Sequence, residues 1–238
     1  NGLKLGDEVD FAVPTGNFGD ILACWYAKQM GLPVGKLICA SNENNVLADF
    51  FKTGTYDRNR AFHTTISPSM DILVSSNLER LLYSVCGDDK LVAEYMRSLS
   101  EKGSYTVSGE IFKVLSDNFV GGFCTDADTK ATIANVYNEH GYLIDTHTAV
   151  AYKLMLEHKT DRPTVVVSTA SPFKFCDSVL DALGEKTDAS GVELIEKLAS
   201  FAGIAAPAPL CGLDNRPVRF ETVIEKQAMK QAVTDFLE

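Results

Sequence analysis

The chain has 238 residues, 45% of them hydrophobic and 23% charged, which is typical of a globular protein. Its formal net charge of −10 argues against a nucleic acid or an anionic membrane as partner, because both require clustered Lys and Arg. A small anion is not excluded, since a small site can be locally positive. Apolar runs fall short of the ~20 residues of a membrane span. The six cysteines form no C-x-x-C pair, which favours reduced, mostly buried thiols in a cytoplasmic protein.

The first part of the chain predicts alternating strands and helices. Strands are expected at residues 9–13 and 36–40, and helices at 20–30 and 45–52. This alternation favours an α/β fold with a parallel sheet. Because the chain opens with Asn1-Gly2-Leu3 rather than Met, we expect it to be a segment of a longer protein.

The rest of the chain predicts one further strand and several helices. Residues 54–76 are rich in Thr, Ser and Asn and are expected to form a long, ordered loop near a site, with disorder as the alternative. Residues 164–169 are apolar enough to form a central strand, and residues 205–210 resemble a linker. Helices are predicted at 78–85, 90–100, 107–118, 126–139, 177–183, 192–201 and 220–237.

The segment Gly16-Asn17-Phe18-Gly19-Asp20, here called the glycine loop, joins the first strand to the first helix. A helix N-terminus presents unpaired N–H groups and the positive end of the helix dipole, and the glycines let a ligand approach the backbone. We expect the backbone of Asp20 to face an anion while its side chain caps the helix. The alternative is a tight turn with a helix cap. The loop has neither the Walker spacing nor the dinucleotide-binding spacing of glycines.

Two other segments carry polar groups of interest. Thr169 follows the apolar strand, where open α/β sheets bind ligands, and could hydrogen-bond a ring nitrogen. The alternative for Thr169 is a cap of the following helix. His147 lies near the start of a helical stretch, where a capping or packing residue is favoured over a catalyst.

Four segments in order resemble threonine synthase, a family of fold-type-II lyases that depend on pyridoxal 5'-phosphate. They are residues 13–20, 67–72, 147–152 and 168–175. The resemblance implies an α/β parallel-sheet sandwich of the tryptophan synthase β-like kind, with many helices. Residues 1–238 would form the C-terminal part of its large cofactor-binding domain, incomplete because the N-terminal half is absent.

The resemblance also implies roles for individual residues. The glycine loop, Gly16 to Asp20, would hold the cofactor phosphate, and the hydroxyl of Thr169 would face the pyridine nitrogen. Ser171 departs from the family, whose other members have His before the Pro of this segment. The Schiff-base lysine is expected upstream of the glycine loop, so no catalytic residue is assigned in this chain and Lys174 is not taken as a substitute.

The implied reaction converts O-phosphohomoserine and water to L-threonine and phosphate, in threonine biosynthesis. The partners implied are this substrate and the missing N-terminal half, without which the chain is expected to be inactive. One alternative is a threonine-synthase-like phospho-lyase that acts on another phosphorylated amino alcohol. A second is a non-catalytic phosphate- or nucleotide-binding module.

Overall fold

A four-stranded parallel sheet organises the computed structural model, which describes residues 2–237. In chain order the strands are β1 (Val9–Pro14), β2 (Val34–Ser41), β3 (Thr55–Asp57), β4 (Ser104–Thr106), β5 (Phe119–Phe123) and β6 (Thr164–Val166). The order in the main sheet is β5-β2-β1-β6, and β3 and β4 form a separate antiparallel pair. The predicted α/β fold with a parallel sheet is confirmed.

Ten helices are described around these sheets. They are α1 (Gly19–Gln29), α2 (Val46–Thr53), α3 (Leu78–Cys86), α4 (Asp89–Lys102), α5 (Gly109–Asn118), α6 (Asp126–His140), α7 (Thr146–Glu157), α8 (Cys176–Ala182), α9 (Glu193–Ala202) and α10 (Met229–Leu237). The predicted boundaries of α1 to α6, α8 and α9 agree within two residues. Local signals explain this agreement: Ser108 and Thr125 cap the starts of α5 and α6.

An aromatic cluster forms the core on one side of the sheet. The ring of Phe51 on α2 stacks on Phe119 of β5, with 4.9 Å between the centroids. Phe18 lies 5.9 Å from Phe51, and Trp25 of α1 lies 5.6 Å from Phe119. These four side chains are at most 4% exposed, so the start of α1 is anchored in the core.

Strand β5 was not predicted, because its sequence Phe-Val-Gly-Gly-Phe contains two glycines. The structure shows why both are there. A Cβ at Gly121 would lie 2.8 Å from the backbone of Ala48, and one at Gly122 would lie 2.9 Å from the side chain of Leu154. The glycines therefore let α2 and α7 pack closely against the sheet.

The prediction of a central strand at residues 164–169 was wrong. Strand β6 spans Thr164–Val166 and lies at the edge of the main sheet, with Val165 45% exposed. It pairs with β1, whose other edge is occupied by β2. One more sheet bond follows, from Val167 N–H to the carbonyl of Ala12 at 2.9 Å, before the chain leaves the sheet.

The predicted helix at residues 220–237 was correct only in its second part. Helix α10 begins at Met229, and residues 220–225 have no regular structure. This segment contains Thr222, Val223 and Ile224, whose β-branched side chains disfavour helix formation. Val223 is 94% exposed, so packing does not compensate for that preference.

At the amino end of β1, the buried carboxylate of Asp10 forms an ion pair with the partly exposed Arg162 and connects distant parts of the chain. Its carboxylate accepts hydrogen bonds from Arg162 Nε at 2.7 Å, Thr160 Oγ1 at 2.8 Å and the Lys36 N–H at 2.6 Å. Burial alone would raise the pKa of Asp10, but these hydrogen bonds outweigh it and hold the pKa below its usual value. Asp10 therefore fixes the segment before β6 against the sheet.

The six cysteines are free thiols, of which Cys39, Cys124 and Cys176 are buried and Cys211 is exposed. Burial raises the pKa of the Cys39 thiol to about 12, so this residue serves packing. Within residues 2–237, no helix has both the length and the apolar character that a membrane crossing requires.

Candidate functional site

A cavity of about 270 Å³ lies where β1 ends and α1 begins. It brings together every site residue predicted from the sequence. The lining consists of Pro14, Thr15, Gly16, Asn17, Phe18, Gly19, Asp20, Ile21, Ser69, Met70, His147, Thr169, Ala170 and Lys174. The glycine loop and the Thr169 segment are therefore neighbours in space, as the resemblance implied, and the start of α7 lies beside them. In the described part of the chain, no cluster of His, Cys, Asp and Glu could hold a metal ion.

Phe18 gives the glycine loop its shape. It precedes α1 with φ 64° and ψ 17°, and it is the one non-glycine residue between 2 and 237 with a positive φ. This left-handed conformation costs about 1–2 kcal/mol for a residue with a side chain. The ring is 1% exposed and packs on Phe51 and Phe119, which offsets the cost and fixes the turn.

The carbonyl groups of the loop are held from one side. Ser75 Oγ donates to the Gly16 carbonyl at 2.8 Å, and Asn77 donates to the Asn17 carbonyl through its N–H at 3.1 Å and its Nδ2 at 2.7 Å. In a trans peptide the N–H points away from the carbonyl of the same peptide group. The N–H groups of Asn17 and Phe18 therefore point away from Ser75 and Asn77.

The loop leaves a run of unused hydrogen-bond donors. Among the described residues, the backbone N–H groups of residues 16–21 have no protein acceptor. They lie at the N-terminus of α1, where the helix dipole adds positive potential. Successive N–H groups beside an αL residue form a concave anion site. The geometry thus favours an anion here.

Asp20 does not cap α1, contrary to the prediction. The cap position is occupied by Phe18, and no side chain accepts a hydrogen bond from the free amides of this helix end. Because Asp20 is the second residue of the helix, its side chain stands beside the first turn rather than ahead of it. It is exposed, and its carboxylate contributes a favourable interaction with the helix dipole.

Thr169 is exposed to the cavity, three residues beyond the end of β6. Its alternative role as a helix cap is wrong, because Ser171 performs that function. Ser171 Oγ accepts the Phe173 N–H at 3.3 Å at the start of the short 3-10 turn Pro172–Lys174. Within residues 2–237 the Thr169 hydroxyl makes no hydrogen bond to protein, so it is free for a ligand.

His147 is a packing residue, as expected, but Asp145 rather than His147 caps α7. His147 is 3% exposed, and its ring lies 4.8 Å from that of Phe175. Nε2 accepts the Ser69 N–H at 3.2 Å, and Nδ1 lies 3.3 Å from Asp145 Oδ1. These contacts were not predicted, because Ser69 and His147 are 78 positions apart.

Lys174 supplies a positive charge to the cavity lining. Its Nζ lies 5.5 Å from the centroid of the Phe175 ring, in a cation–π contact. Among the described residues no carboxylate forms an ion pair with it. Lys174 thus brings a positive charge without an ion-pair partner among residues 2–237 to a cavity whose lining also includes Asp20.

The segment of residues 63–71 is ordered by a buried polar network, which agrees with the prediction of an ordered loop near a site. Asp71 accepts from Thr65 Oγ1 at 2.7 Å, from the Thr65 N–H at 3.0 Å and from Asn42 Nδ2 at 2.7 Å. Asn44 Nδ2 donates to the His63 carbonyl at 2.8 Å. Ser69 and Met70 are thereby presented to the cavity.

Threonine synthases resemble this chain in both sequence and structure. Residues 148–236 match the family model "Threonine synthase, C-terminal". The threonine synthase of Methylobacillus glycogenes is 39% identical over 97% of this chain and 46% of its own length. The crystal structure of the PLP-bound threonine synthase from Brucella melitensis has a TM-score of 0.84 at 37% identity, covering 97% of this chain and 47% of that one. The chain thus carries the threonine synthase C-terminal domain, and threonine synthases are similar to it over 97% of its length.

The likeness confirms the predicted fold class, since the structural neighbours are fold-type-II threonine synthases. This chain spans about half the length of the threonine synthases it matches. Human "Threonine synthase-like 1" is also similar, with 43% identity over 76% of this chain and 25% of that protein.

Proposed function

We propose that this chain supplies the phosphate-binding part of the cofactor site of a pyridoxal-phosphate-dependent threonine synthase. The complete protein would convert O-phosphohomoserine and water to L-threonine and phosphate. The observation that carries the proposal is the row of unpaired amides at residues 16–21, which opens into the same cavity as Thr169. The PLP-bound relative from Brucella melitensis supports the choice of cofactor.

The residues present fit such a group at both of its ends. A phosphate can accept several charge-assisted hydrogen bonds from the amides of the glycine loop, each worth about 1.5–3 kcal/mol. Gly19 leaves room for it: among the described residues, a Cβ there would meet Asn77 Nδ2 alone, at 3.9 Å. The unpaired Lys174 adds positive charge to the same cavity.

Thr169 is the proposed partner of the ring nitrogen. A hydroxyl is neutral and can donate or accept a hydrogen bond, so it does not force the nitrogen to be protonated, as a carboxylate would. When bound, the cofactor ring supplies the electron sink for proton removal from the substrate. Thr169 would orient the ring and moderate that property.

The Schiff-base lysine is proposed to lie in a part of the protein outside these 238 residues. Lys174 is a poor substitute, because its ammonium group lies against the Phe175 ring on a short turn that Ser171 caps. The chain would then hold and orient the cofactor, and the other half would bring the proton-transferring lysine. We therefore expect no threonine formation by the purified 238-residue chain.

Binding measurements on the purified chain test the cofactor role. Pyridoxine 5'-phosphate lacks the aldehyde and cannot label lysines, so its affinity reports on the non-covalent site. We expect it to bind more tightly than inorganic phosphate, because Thr169 adds a contact, and pyridoxine without phosphate to bind weakest. Equal affinities for pyridoxine and its phosphate would refute the phosphate role of the glycine loop.

A second candidate is a phospho-lyase that acts on another phosphorylated amino alcohol, favoured by the 43% identity to human Threonine synthase-like 1. The full-length protein should be incubated with O-phosphohomoserine and with other phosphorylated amino alcohols, and the release of phosphate and threonine measured. Turnover of O-phosphohomoserine to threonine supports the first candidate. Phosphate release from another substrate alone supports the second.

A further inference from the structure

We propose that His147 is a positioning residue that, together with Asp145, holds the Ser69 backbone against the glycine loop and so sets its affinity for an anion. The inference rests on the proposed function, in that the glycine loop is taken to bind phosphate. It adds a specific role for a histidine that the proposed chemistry does not use.

The first step concerns the protonation of the imidazole. Asp145 Oδ1 lies 3.3 Å from His147 Nδ1, and a carboxylate can only accept a hydrogen bond. The Thr146 hydroxyl lies equally close to Nδ1, at 3.3 Å, and can accept or donate. The Ser69 N–H can only donate, so Nε2 carries the lone pair and the proton sits on Nδ1. That lone pair accepts the Ser69 N–H at 3.2 Å. The two contacts are complementary, because one selects the tautomer that the other requires.

The second step concerns the rigidity of the pair. The side chain of Asp145 is fully buried and accepts the His147 N–H at 2.8 Å, the Thr148 N–H at 3.3 Å and the Thr148 hydroxyl. Burial raises the pKa of Asp145, but the His147 side chain, the Thr148 hydroxyl and the two backbone N–H groups outweigh it and hold the pKa below its usual value. With the Phe175 ring 4.8 Å away, the imidazole has little freedom.

The third step connects Ser69 to the glycine loop. A Cβ at Gly16 would lie 2.6 Å from the Ser69 carbonyl oxygen and 3.2 Å from Met70 Cα, so the Ser69 backbone rests directly on Gly16. On its carbonyl side, Gly16 is held by Ser75 Oγ at 2.8 Å. Gly16 is therefore held by two contacts, one with Ser75 Oγ and one with the Ser69 backbone. His147 positions the second, because it accepts the Ser69 N–H.

The same polar network extends to the other side of the cavity. Thr148 Oγ1 lies 3.2 Å from Ser168 Oγ, and Ser168 immediately precedes Thr169. The start of α7 thus contacts the segments that carry both Ser69 and Thr169. Loss of the His147 acceptor should loosen the Ser69 side first, since the Asp145–Thr148–Ser168 contacts do not involve the imidazole.

Two substitutions separate hydrogen bonding from packing. His147→Phe keeps an aromatic ring beside Phe175 but has no acceptor, whereas His147→Gln can place an amide oxygen near the Nε2 position. His140→Phe and His140→Gln are matched controls, because His140 is an exposed histidine at the end of α6, outside the cavity. The purified chain is used throughout, with inorganic phosphate as the ligand.

We expect His147→Phe to speed hydrogen exchange of the Ser69 amide about tenfold and to weaken phosphate binding about three- to tenfold, as for the loss of one hydrogen bond. His147→Gln should restore both properties, and the His140 variants should change neither. If His147→Phe fails to fold, His147→Met replaces it as an apolar side chain without a strong acceptor.

Equal losses of phosphate affinity in the Phe and Gln variants would mean that His147 acts through packing. Unchanged phosphate affinity in the Phe variant would mean that His147 has no role in anion binding by the loop. Either result overturns the proposal. Absence of phosphate binding by the wild-type chain would instead refute the proposed function and, with it, the effect on affinity. The exchange rate of the Ser69 amide would still show whether His147 holds this segment, so the two failures are distinguishable.

Discussion

Replacing Gly19 by Val should abolish most of the anion affinity without harming the fold. Among the described residues, a Cβ at Gly19 would meet Asn77 Nδ2 alone, at 3.9 Å, so the backbone and the first side-chain carbon fit without strain. Because Cα–Cβ bonds tilt toward the N-terminus of a helix, the added side chain would stand in the space that the free amides face. Gly19 lies at the first position of α1, where Val has a better helix propensity than Gly.

The magnitude follows from the number of hydrogen bonds lost. A charge-assisted hydrogen bond contributes about 1.5–3 kcal/mol, so the loss of a single one weakens binding about 10- to 140-fold. We expect at least this effect on the dissociation constants of inorganic phosphate and pyridoxine 5'-phosphate, measured by calorimetry. The midpoint of urea unfolding should stay close to that of the wild-type chain.

Gly16→Ala provides a contrast in stability, since it should lower the midpoint of urea unfolding, which Gly19→Val should leave unchanged. Its Cβ would lie 2.6 Å from the Ser69 carbonyl oxygen, which is backbone and cannot swing away. Overpacking of this kind costs about 1–3 kcal/mol of stability. Suppose that the wild-type chain binds phosphate and that Gly19→Val binds it equally tightly. The amides of the glycine loop would then not be the anion site.

Two other predictions concern the proposed ring contact of Thr169 and the ion pair of Asp10 at the amino end of β1. Thr169→Val keeps the shape of the side chain and removes its hydroxyl. Affinity for pyridoxine 5'-phosphate should therefore fall about three- to tenfold, while affinity for inorganic phosphate stays unchanged. Equal affinities of wild type and variant for pyridoxine 5'-phosphate would contradict the ring contact. Asp10→Asn should lower the free energy of unfolding by about 1–3 kcal/mol at pH 7. Folding lowers the pKa of Asp10, so its contribution to the free energy of unfolding is complete above the unfolded pKa of about 3.9. This contribution is lost as the pH falls through the folded pKa. The stabilities of wild type and variant should therefore converge in acid. A constant difference at every pH would show that the Asp10 charge is not responsible.

Sequence patterns predicted the parts of the fold that local physics determines. The helices were predicted from their caps and apolar periodicity, and the glycine loop was predicted from glycines between a strand and a helix. The glycine strand β5 and the edge position of β6 could not be predicted in this way. Gly121 is required by a helix packed against it, and the position of β6 depends on which neighbours β1 finds, so both are decided by tertiary packing.

In the site, too, residues with an informative local sequence were predicted, and residues that act through distant contacts were not. Gly16, Gly19 and Thr169 could be predicted to lie near one another because their residue types and positions are informative on their own, and they line one cavity. The residues that shape the loop were missed: Ser75 and Asn77 bond to it from 59 and 60 positions away. Their own neighbourhood, a polar stretch before a helix, gives no sign of these partners. Asp20 was misjudged because the cap position depends on the αL conformation of Phe18, which a Phe seldom adopts.

The construction of the loop explains how a protein with a net charge of −10 can hold a doubly charged group. In the proposed site, most of the attraction would come from amide dipoles that are fixed in place and act within hydrogen-bond distance. Repulsion from carboxylates elsewhere is screened beyond about 8 Å at physiological ionic strength. The cost of orienting the amides is met during folding, by the burial of Phe18 and by hydrogen bonds from Ser75 and Asn77 to the loop carbonyls. If the loop binds an anion as proposed, its affinity should therefore depend on side chains behind the loop that never touch the anion.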